Sequence, residues 1–366
     1  MKDIRMVLPN LASDTAGAAS ALFALDGLTV IHDAAGSMES YITFDESREL
    51  EGKRTVASRL SRLEAITGDD GILLDKLAEE CASDAPPFIA VLGSPIPFTI
   101  GTDLDGIAAE AEFASGVPAF AVNTGGFESY DKGAGEALRK VIEKTAKAPA
   151  PHDGTIVNLL GAIPMDYSDA EIEGIRENLL AEGVDTVRTL TLADGMEEMY
   201  HAADADRNLV ISLAGLPAAR YMEKKYGIPY TIGVPVGMPV GDGVAAAMET
   251  DARKVLVLGE SVLTKQLVLL LGEAGIDAVA GVTANDDPAV FPGIPALRLD
   301  TEAGIRAELK KNYFAVVGDP LYKLLLPRNS ETKFIERPHR ALSGRLYPAA
   351  SQTIDQLLLK MKEVLA

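Results

Sequence analysis

Short apolar runs alternate with longer amphipathic stretches along most of the chain. Three early runs, LTVI at 28–31, FIAVLGS at 88–94 and PAFAVNTGG at 118–126, end in or lead into polar and glycine residues, which is typical of buried strands followed by turns. The stretches at 59–82 and 105–116 show helical spacing of apolar residues. Buried strands that alternate with helices predict βαβ units, and hence an α/β fold with mostly parallel sheets.

The same alternation restarts further along the chain. The segment KTAKAPAPHDGT at 144–155 is rich in Pro and Ala, as domain boundaries often are. We therefore expect three Rossmann-like, doubly wound domains around a central cleft, at residues 1–150, 151–249 and 250–366. The apolar spacing of residues 351–366 predicts an amphipathic C-terminal helix, which we expect to pack back on the first domain.

The net charge of the chain limits the classes of molecule that it is expected to bind. The 366 residues carry a formal net charge of -20, which favours solubility and disfavours nucleic acid and anionic membranes as partners. No run approaches the roughly 18–20 apolar residues that a membrane-spanning helix needs. The N-terminal stretch MKDIRMVLPN lacks the apolar region of a signal peptide. We expect a cytoplasmic protein.

A single cysteine, Cys81, limits the chemistry of the chain. No intrachain disulfide and no multi-thiolate zinc or iron-sulfur site can form from this sequence alone. The apolar neighbours of Cys81 in a predicted helix favour a buried structural thiol. The signatures GxxxxGKS/T, GxSxG, HExxH and GxGxxG do not occur. The histidines are far apart in sequence, so we predict no metal-ligand set.

The turns after the first-domain strands are the candidate functional positions, because open parallel sheets bind ligands beyond the carboxyl ends of their strands. They lie at residues 32–37, 93–101 and 123–127. Their glycines and helix starts suit an anion or a polar cofactor edge, but glycine and serine also serve simply to make turns. His32 follows a buried strand directly. It is either a proton-transfer group or a histidine whose ring nitrogens satisfy neighbouring backbone groups.

Six segments share their order and motifs with one known family. VIHDAAGS is similar to a strand followed by an HGPxGC turn, VLGSPIPFTIGTDLDGIAAE to a TCxxxxIGDD turn, and VNTGGFE to a strand that ends in a Gly-Phe pair. The other segments are LSRLEAITGDDGILLDKLAE, VNLLGA followed by NLVISLAGLPAARYMEKKYGIPY, and PHRALSGRLYP. Together they resemble the component 1 family of nitrogenase and its relatives over most of the chain.

The resemblance implies a subunit that pairs with a homologous subunit, as a homodimer or a heterodimer, and that receives electrons from an ATP-dependent iron protein. In the family, cysteines of the first domain hold an iron-sulfur cluster near the subunit interface. Their positions match Ser13, Ser37 and Ser94 here, and the position of the active-site cofactor cysteine falls near Ile211 and Ser212. Serine is a hard, poorly ionised ligand, whereas such clusters are held by thiolates. We therefore expect no cysteine-ligated iron-sulfur cluster from this chain alone, and the cofactor stays unidentified.

Several functions are compatible with these features. The first is a nitrogenase-like oxidoreductase subunit that reduces or handles a small or tetrapyrrole-like substrate, with His32 or Asp33 delivering protons. Its expected cofactor-binding residues are Ser37, Ser94, Asp103, Gly126 and Phe127. The second is a cluster-free binding module that carries or senses a metallocofactor or another anionic ligand. It would use the turn amides together with Arg220, Arg340 or Arg345. The third is a structural, non-catalytic partner of a catalytic paralogue.

Overall fold

The computed structural model describes residues 5–34, 36, 41, 54–191, 195–237, 254–348 and 350–365. Within these ranges the strands pair in parallel and form three sheets. The predicted α/β class with Rossmann-like sheets is therefore confirmed. Ser37 lies outside the described residues. The described part of the chain contains no helix that is long and apolar enough to span a membrane.

The first sheet has the strand order β2-β1-β3-β4. Its strands are β1 Leu28–Ile31, β2 Thr55–Ala57, β3 Ile89–Leu92 and β4 Ala119–Val122. The helices of this part are α1 Asp14–Leu22, α2 Arg62–Thr67, α3 Gly71–Ser83, α4 Pro95–Ile100, α5 Leu104–Ser115 and α6 Tyr130–Thr145. β1, β3 and β4 are buried along their whole length. This burial explains their unbroken apolar sequences, since strands of parallel sheets are covered on both faces.

The second sheet has the strand order β6-β5-β7-β8. Its strands are β5 Ile156–Leu160, β6 Thr186–Arg188, β7 Arg207–Val210 and β8 Tyr230–Ile232, and its helices are α7 Asp169–Ala181, α8 Gly195–Tyr200 and α9 Leu216–Tyr226. Ser168 caps α7. Its Oγ accepts from Glu171 N at 3.3 Å, and Glu171 Oε2 accepts from Ser168 N at 2.8 Å. This reciprocal capping box determines where the helix begins.

The third sheet has the strand order β11-β10-β9-β12-β13. Its strands are β9 Val255–Gly259, β10 Ala278–Val282, β11 Ala296–Arg298, β12 Ala315–Gly318 and β13 Lys333–Glu336, and the helices are α10 Ser261–Glu273, α11 Glu302–Leu309, α12 Arg340–Ser343 and α13 Ile354–Leu365. Short 3₁₀ helices lie at Phe23–Leu25, Ala202–Asp204, Leu213–Gly215 and Pro320–Leu325. Helix α13 packs against α7 and β13. Its buried residues join the core shared by the second and third sheets, whereas the sequence pattern led us to expect it on the first domain.

Helix α6 joins the first sheet to the second. It packs against α1 on one side and α9 on the other. The crossing with α1 is very close: a Cβ atom on Gly17 would lie 2.0 Å from Tyr130 O, and one on Gly133 would lie 1.8 Å from Asp14 O. Only glycine fits at these two positions, because any side chain would collide with backbone atoms.

In each sheet the strand order reverses between two central strands. These pairs are β1 and β3, β5 and β7, and β9 and β12. Ligands of open parallel sheets bind at the carboxyl ends of the strands where the order reverses. The three reversal points are therefore the places where the fold favours a functional site.

Candidate functional site

Serines at two of the reversal points hold backbone carbonyl groups. Ser94, which follows β3, donates through Oγ to His32 O at 2.8 Å, and Ser212, which follows β7, donates to Gly161 O at 2.8 Å. Both side chains are buried. Each hydrogen bond joins the two central strands of its sheet just beyond their carboxyl ends. The hydroxyls are therefore occupied in stabilising these edges.

The donor groups at the expected cluster positions do not fit a thiolate-held iron-sulfur cluster. Ser94 donates to a carbonyl, and Ser13 caps α1 by accepting from Ala16 N at 3.3 Å. Cys81 is the one cysteine of the chain and is buried in α3. Burial raises the pKa of the Cys81 thiol, which reduces the thiolate form that binds metals. The described residues at these positions supply neutral hydroxyls where a cluster requires thiolates.

His32 is buried at the reversal point of the first sheet. Its Nδ1 lies 3.0 Å from Ser58 Oγ, and its Nε2 has no hydrogen-bond partner among the residues that the structure describes. Asp70 Oδ1 lies 4.0 Å from that Nε2. Burial lowers the pKa of His32, although Asp70, Asp33 and Glu64 act in the opposite direction. The ring is therefore mainly neutral near pH 7, and one of its nitrogens is left unsatisfied rather than bound to the backbone.

Asp33 and Asp103 use their carboxylates locally. Asp33 Oδ1 accepts from Ala34 N at 2.7 Å. Asp103 is the N-cap of α5, and its Oδ1 accepts from Gly106 N at 3.0 Å. The structure places Asp33 next to His32 at the reversal point, while Asp103 stabilises the start of a helix.

The turn after β4 is held by Asp14, which was not predicted from the sequence. The buried Asp14 carboxylate accepts from Gly125 N at 2.9 Å and from Gly126 N at 2.7 Å. The amides that we expected to face an anion are therefore bound by a carboxylate of the protein itself. Phe127, the next residue of the turn, is 69% exposed and contacts the Phe98 ring edge-on.

An open cleft of about 430 Å³ lies between the turn after β4, the N-terminal segment and the loop after β10. Its lining includes Arg5, Ala12, Ser13, Gly126, Phe127, Ser129, Thr283, Asn285 and Arg298. Two of the expected residues, Gly126 and Phe127, thus border it. The lining also includes Glu128 and Asp300, so its two arginines are matched by two carboxylates, and both arginines contact Asp300.

Behind the cleft, side chains from three parts of the chain meet in a buried cluster. We call Tyr130, Asp166 and His339 the junction. The Tyr130 hydroxyl donates to Asp166 Oδ1 and lies 3.2 Å from His339 Nε2, which is 3.1 Å from the same Asp166 oxygen. Tyr130 N also donates to Ala12 O in the cleft wall at 3.0 Å. Asp166 Oδ2 and His339 Nδ1 are buried without a hydrogen-bond partner in the described ranges, an arrangement that calls for a bound water, ion or ligand.

Further ionisable groups surround the junction. Arg337 Nε donates to Glu171 Oε1 at 2.9 Å, and its Nη2 donates to Asp166 O at 2.6 Å. Glu260 directly follows β9 and accepts from Leu213 N at 2.8 Å. Burial, and after it the Asp166 carboxylate, raises the pKa of Glu260 to about 8. Perturbed ionisable groups that lie together in a buried position are a common feature of functional sites.

The loop after β10 connects the third sheet to both other parts. We call Asn285 and Asp287 the clasp. Asn285 Nδ2 donates to Asp131 Oδ2 at 3.0 Å, at the start of α6. Asp287 Oδ1 accepts from Arg220 Nη2 at 2.9 Å, on α9. The clasp thus links all three sheets, and its first residue also lines the cleft.

The predicted arginines have different surroundings. Arg220 is engaged by the clasp. Arg340 lines a small cavity of about 10 Å³ beside Asp166 and Tyr167. Arg345 follows α12, outside the lining of the cleft.

Tyr130, Asp166 and Glu260 were not predicted from the sequence. The sequence around Glu260 could have indicated a functional position, because Glu260 directly follows an apolar strand. Asp166 has no such signal in the nearby sequence. Its partners Tyr130 and His339 are separated from it by 36 and 173 positions along the chain.

The sequence matches the family model described as Nitrogenase component 1 type Oxidoreductase over residues 13–250. It is 30% identical over 185 residues to the nitrogenase iron-molybdenum cofactor biosynthesis protein NifE of Clostridium pasteurianum. The aligned region covers 49% of this chain and 39% of that protein. It is 27% identical over 184 residues to NifE of Bradyrhizobium diazoefficiens, and this aligned region covers 48% of this chain and 32% of that protein. The match therefore spans well under half the length of these relatives.

Two solved structures share the architecture. The structure titled "Nitrogenase Cp1 at pH 6.5" has a TM-score of 0.73 and 14% identity, over 100% of this chain and 94% of that chain. "Nitrogenase Cp1 at pH 5" has a TM-score of 0.69 and 16% identity, over 100% of this chain and 89% of that chain. At such low identity the likeness shows the fold alone.

Proposed function

Because the chain belongs to the nitrogenase component 1 type oxidoreductase family, we propose that it is a ligand-holding subunit of that family. It binds a metallocofactor or another anionic ligand as cargo, without a thiolate-bound iron-sulfur cluster of its own. The observation that carries this proposal is the cleft beside the junction, combined with the serines at the cluster positions. NifE, the relative named above, is described as a cofactor biosynthesis protein, which supports a role in holding a cofactor.

The cleft has the size and chemistry of a ligand site. Its volume of about 430 Å³ lies within the range of roughly 300–1,000 Å³ that is typical of small-molecule sites. Arg5 and Arg298 supply positive charge, Glu128 and Asp300 balance it, and Ser13, Ser129 and Asn285 supply neutral hydrogen-bonding groups. Such a lining suits a polar ligand, and the arginine side chains are its groups for the negatively charged edge of a ligand.

The junction gives the cleft a second set of polar groups. Tyr130 separates the two, since its backbone contacts the cleft wall and its hydroxyl reaches Asp166. Within the described residues His339 Nδ1 and Asp166 Oδ2 lack partners, and Asp166 borders a separate cavity of about 10 Å³. A ligand that satisfied these atoms would offset the cost of leaving buried polar groups unpaired.

Thermal unfolding in the presence of probe ligands tests this proposal. We expect molybdate or isolated iron-molybdenum cofactor, but not chloride, to raise the melting temperature by a few degrees, because a ligand of the native state stabilises it. Ser129→Leu, which fills the cleft, should abolish the shift. Ser83→Leu, at an exposed serine outside the cleft, should retain it. The absence of any shift with the wild-type chain would contradict the proposal.

An oxidoreductase that reduces a small or tetrapyrrole-like substrate is the second candidate. It is favoured by the neutral His32 beside Asp33 at a reversal point, where a proton-transfer group is well placed. Its electrons would come from an ATP-dependent iron protein through a cluster held by a partner chain. Anaerobic isolation followed by iron analysis and visible spectroscopy distinguishes the candidates. A colourless, iron-free protein, alone and with its paired subunit, would exclude this second role.

A homologous subunit, identical or related, is the proposed partner, and the cytoplasm the proposed location. Large apolar side chains are exposed at the carboxyl edge of the first sheet. We call Leu63, Ile66, Ile96, Phe98 and Phe127 the apolar face. Leu63, Ile66, Phe98 and Phe127 are between 61% and 73% exposed, and α2 contacts α4. An exposed apolar patch of this kind typically marks a protein interface.

A further inference from the structure

His32 and Asp70 face each other across a gap that no atom of the described residues bridges. His32 is 2% exposed, and its Nε2 has no hydrogen-bond partner within that part of the chain. Asp70 Oδ1 lies 4.0 Å away, which is too far for a direct hydrogen bond. Asp70 stands at the N-cap position of α3, but its carboxylate makes no capping bond there. Two strong ligand groups are therefore left unsatisfied on the sides that face each other.

Ser58 gives His32 a hydrogen-bond partner at Nδ1. Ser58 Oγ accepts from Asp33 N at 3.1 Å and lies 3.2 Å from Asp33 O. A hydroxyl has a single hydrogen; when that hydrogen is donated to Asp33 O, His32 Nδ1–H donates to Ser58 Oγ at 3.0 Å, which is the tautomer that a metal at Nε2 would require. The lone pair of Nε2 then points into the gap toward the Asp70 carboxylate, and two acceptors face each other.

A cation bound between these two acceptors would accept a lone pair from each and remove their repulsion. We propose that His32 Nε2 and the Asp70 carboxylate are the protein ligands of a divalent transition-metal site of the Zn²⁺ type. Zn²⁺ binds imidazole nitrogen and carboxylate oxygen at about 2.0–2.2 Å in a tetrahedral arrangement, in which two ligand atoms lie roughly 3.4 Å apart. The observed separation therefore needs only small movements of the two side chains. This site goes beyond the proposed cargo ligand and does not depend on it.

The hydrogen bond at His32 Nδ1 and the charge around the gap agree with a metal site. A ligating histidine normally donates its other N–H to a fixed acceptor, and Ser58 is that acceptor here. The negative charges of Asp33 and Glu64 act to raise the pKa of His32. Those of Asp69, Asp103 and Glu110 raise the pKa of Asp70, so the electrostatic potential at the gap is negative. In the described part of the chain no set of three His, Cys, Asp or Glu side chains is placed to hold a metal. The remaining positions are therefore open to water, and the ion is exchangeable.

Zinc binding to the full-length chain tests the site. Equilibrium dialysis gives the affinity, and ¹H–¹⁵N spectra of the imidazole rings, assigned by substituting each histidine in turn, give the location. We expect His32 to be an Nδ1–H tautomer without metal and its Nε2 resonance to shift when Zn²⁺ is added. Asp70→Asn should weaken this binding at least about tenfold, and Ser58→Ala by about 10–100-fold. Asp70 is 31% exposed, so its substitution should leave the fold intact.

Asp69→Asn and His152→Ala are the matched controls. Asp69 neighbours Asp70 but its Oδ1 accepts from Gly71 N, and His152 Nε2 lies 3.9 Å from Asp206 on another part of the chain. Both variants should keep the His32 response to Zn²⁺. An unchanged His32 resonance at saturating Zn²⁺ would mean that only water fills the gap and would overturn the proposal. Equal affinity of Asp70→Asn and wild type for the ion at His32 would overturn it as well.

Discussion

Ser94 and Ser212 perform the same task in two different sheets, at positions where the family resemblance places metal ligands. Each donates to a carbonyl of the neighbouring central strand at 2.8 Å. The hydroxyl is a suitable donor because it is neutral and small enough to be fully buried. The side chain that stands in a metal-ligand position can thus become part of the framework that holds a reversal point together.

Removing either hydroxyl should destabilise the fold. Loss of one partner of a buried hydrogen bond costs about 1–3 kcal/mol. We expect Ser94→Ala and Ser212→Ala each to lower the free energy of unfolding in urea by this amount. Thr67→Ala, at an exposed position on α2, should change it by less than about 0.5 kcal/mol. Values for the two buried serines that match the Thr67 control would contradict the structural role.

Glu302 holds the N-terminal segment on the third sheet. Its Oε2 accepts from Met6 N at 2.9 Å, Val7 N at 2.8 Å and Leu8 N at 3.0 Å. Burial acts to raise the pKa of Glu302, but these N–H groups and Arg306 outweigh it and lower the pKa to about 2. The segment that they anchor also lines the cleft, through residues 10–13.

The stability that Glu302 contributes should depend on pH. Its pKa is lower in the folded chain, about 2, than the ordinary value of 4.5. Its contribution is therefore complete above about pH 4.5 and is lost as the pH falls toward about 2. We expect the difference in unfolding free energy between wild type and Glu302→Gln to shrink over that range. A difference that stays constant with pH would refute this account, and Glu331→Gln, at an exposed glutamate, provides the control.

Single residues could be predicted from the sequence only where their partners are local. Ser168 and Glu171 are three residues apart, so their capping box leaves a pattern that can be read in the local sequence. Asp14 was missed because it binds Gly125 and Gly126, which are 111 and 112 residues away. His32 was correctly placed after a buried strand, but the gap beside it depends on the distant Asp70.

At the scale of elements, the apolar runs predicted the buried strands well. β1, β3 and β4 coincide with the runs at 28–31, 88–94 and 118–126, because burial on both faces leaves a signature in the strand itself. The crossing of α1 and α6 left no such signature. It depends on two glycines in different helices whose importance appears only when the helices meet.

The α1–α6 crossing should be sensitive to one methyl group. We expect Gly133→Ala to lower the free energy of unfolding by about 2–3 kcal/mol or more, because the added Cβ would collide with Asp14 backbone atoms. Gly272→Ala in α10 meets no atom within 4 Å. It should leave stability unchanged or raise it by up to about 1 kcal/mol, since alanine favours helix. Thermal and urea unfolding of both variants measure the contrast, and equal effects would contradict it.

At the scale of the whole molecule, the three parallel sheets share their interior. One apolar cluster joins elements of the first and second sheets, and another joins the second and third. The sequence predicted three units with this architecture, but not the polar junction between them. Tyr130, Asp166 and His339 come from three separate stretches, so only the assembled molecule brings them together.

Pairing with another subunit should require the apolar face. If the chain forms a homodimer, light scattering should give a dimer for wild type and a monomer for Phe98→Asp. Phe113→Asp replaces a phenylalanine that is 93% exposed on α5, outside the face, and should remain dimeric. A wild-type dimer that persists in Phe98→Asp would refute this interface. For a chain that is monomeric alone, the same variants apply to its complex with a homologous subunit.

The clasp has a consequence for the order in which the molecule unfolds. Asn285 and Asp287 contact residues that are 154 and 67 positions away, so these contacts close long loops, which carries a high entropic cost early in folding. We therefore expect them to form late, after the strands of each sheet have paired. Interactions absent from the folding transition state affect the unfolding rate and leave the folding rate almost unchanged. We therefore expect substitution of Asn285 or Asp287 to speed unfolding, and so to shorten the time that the three sheets stay together once assembled.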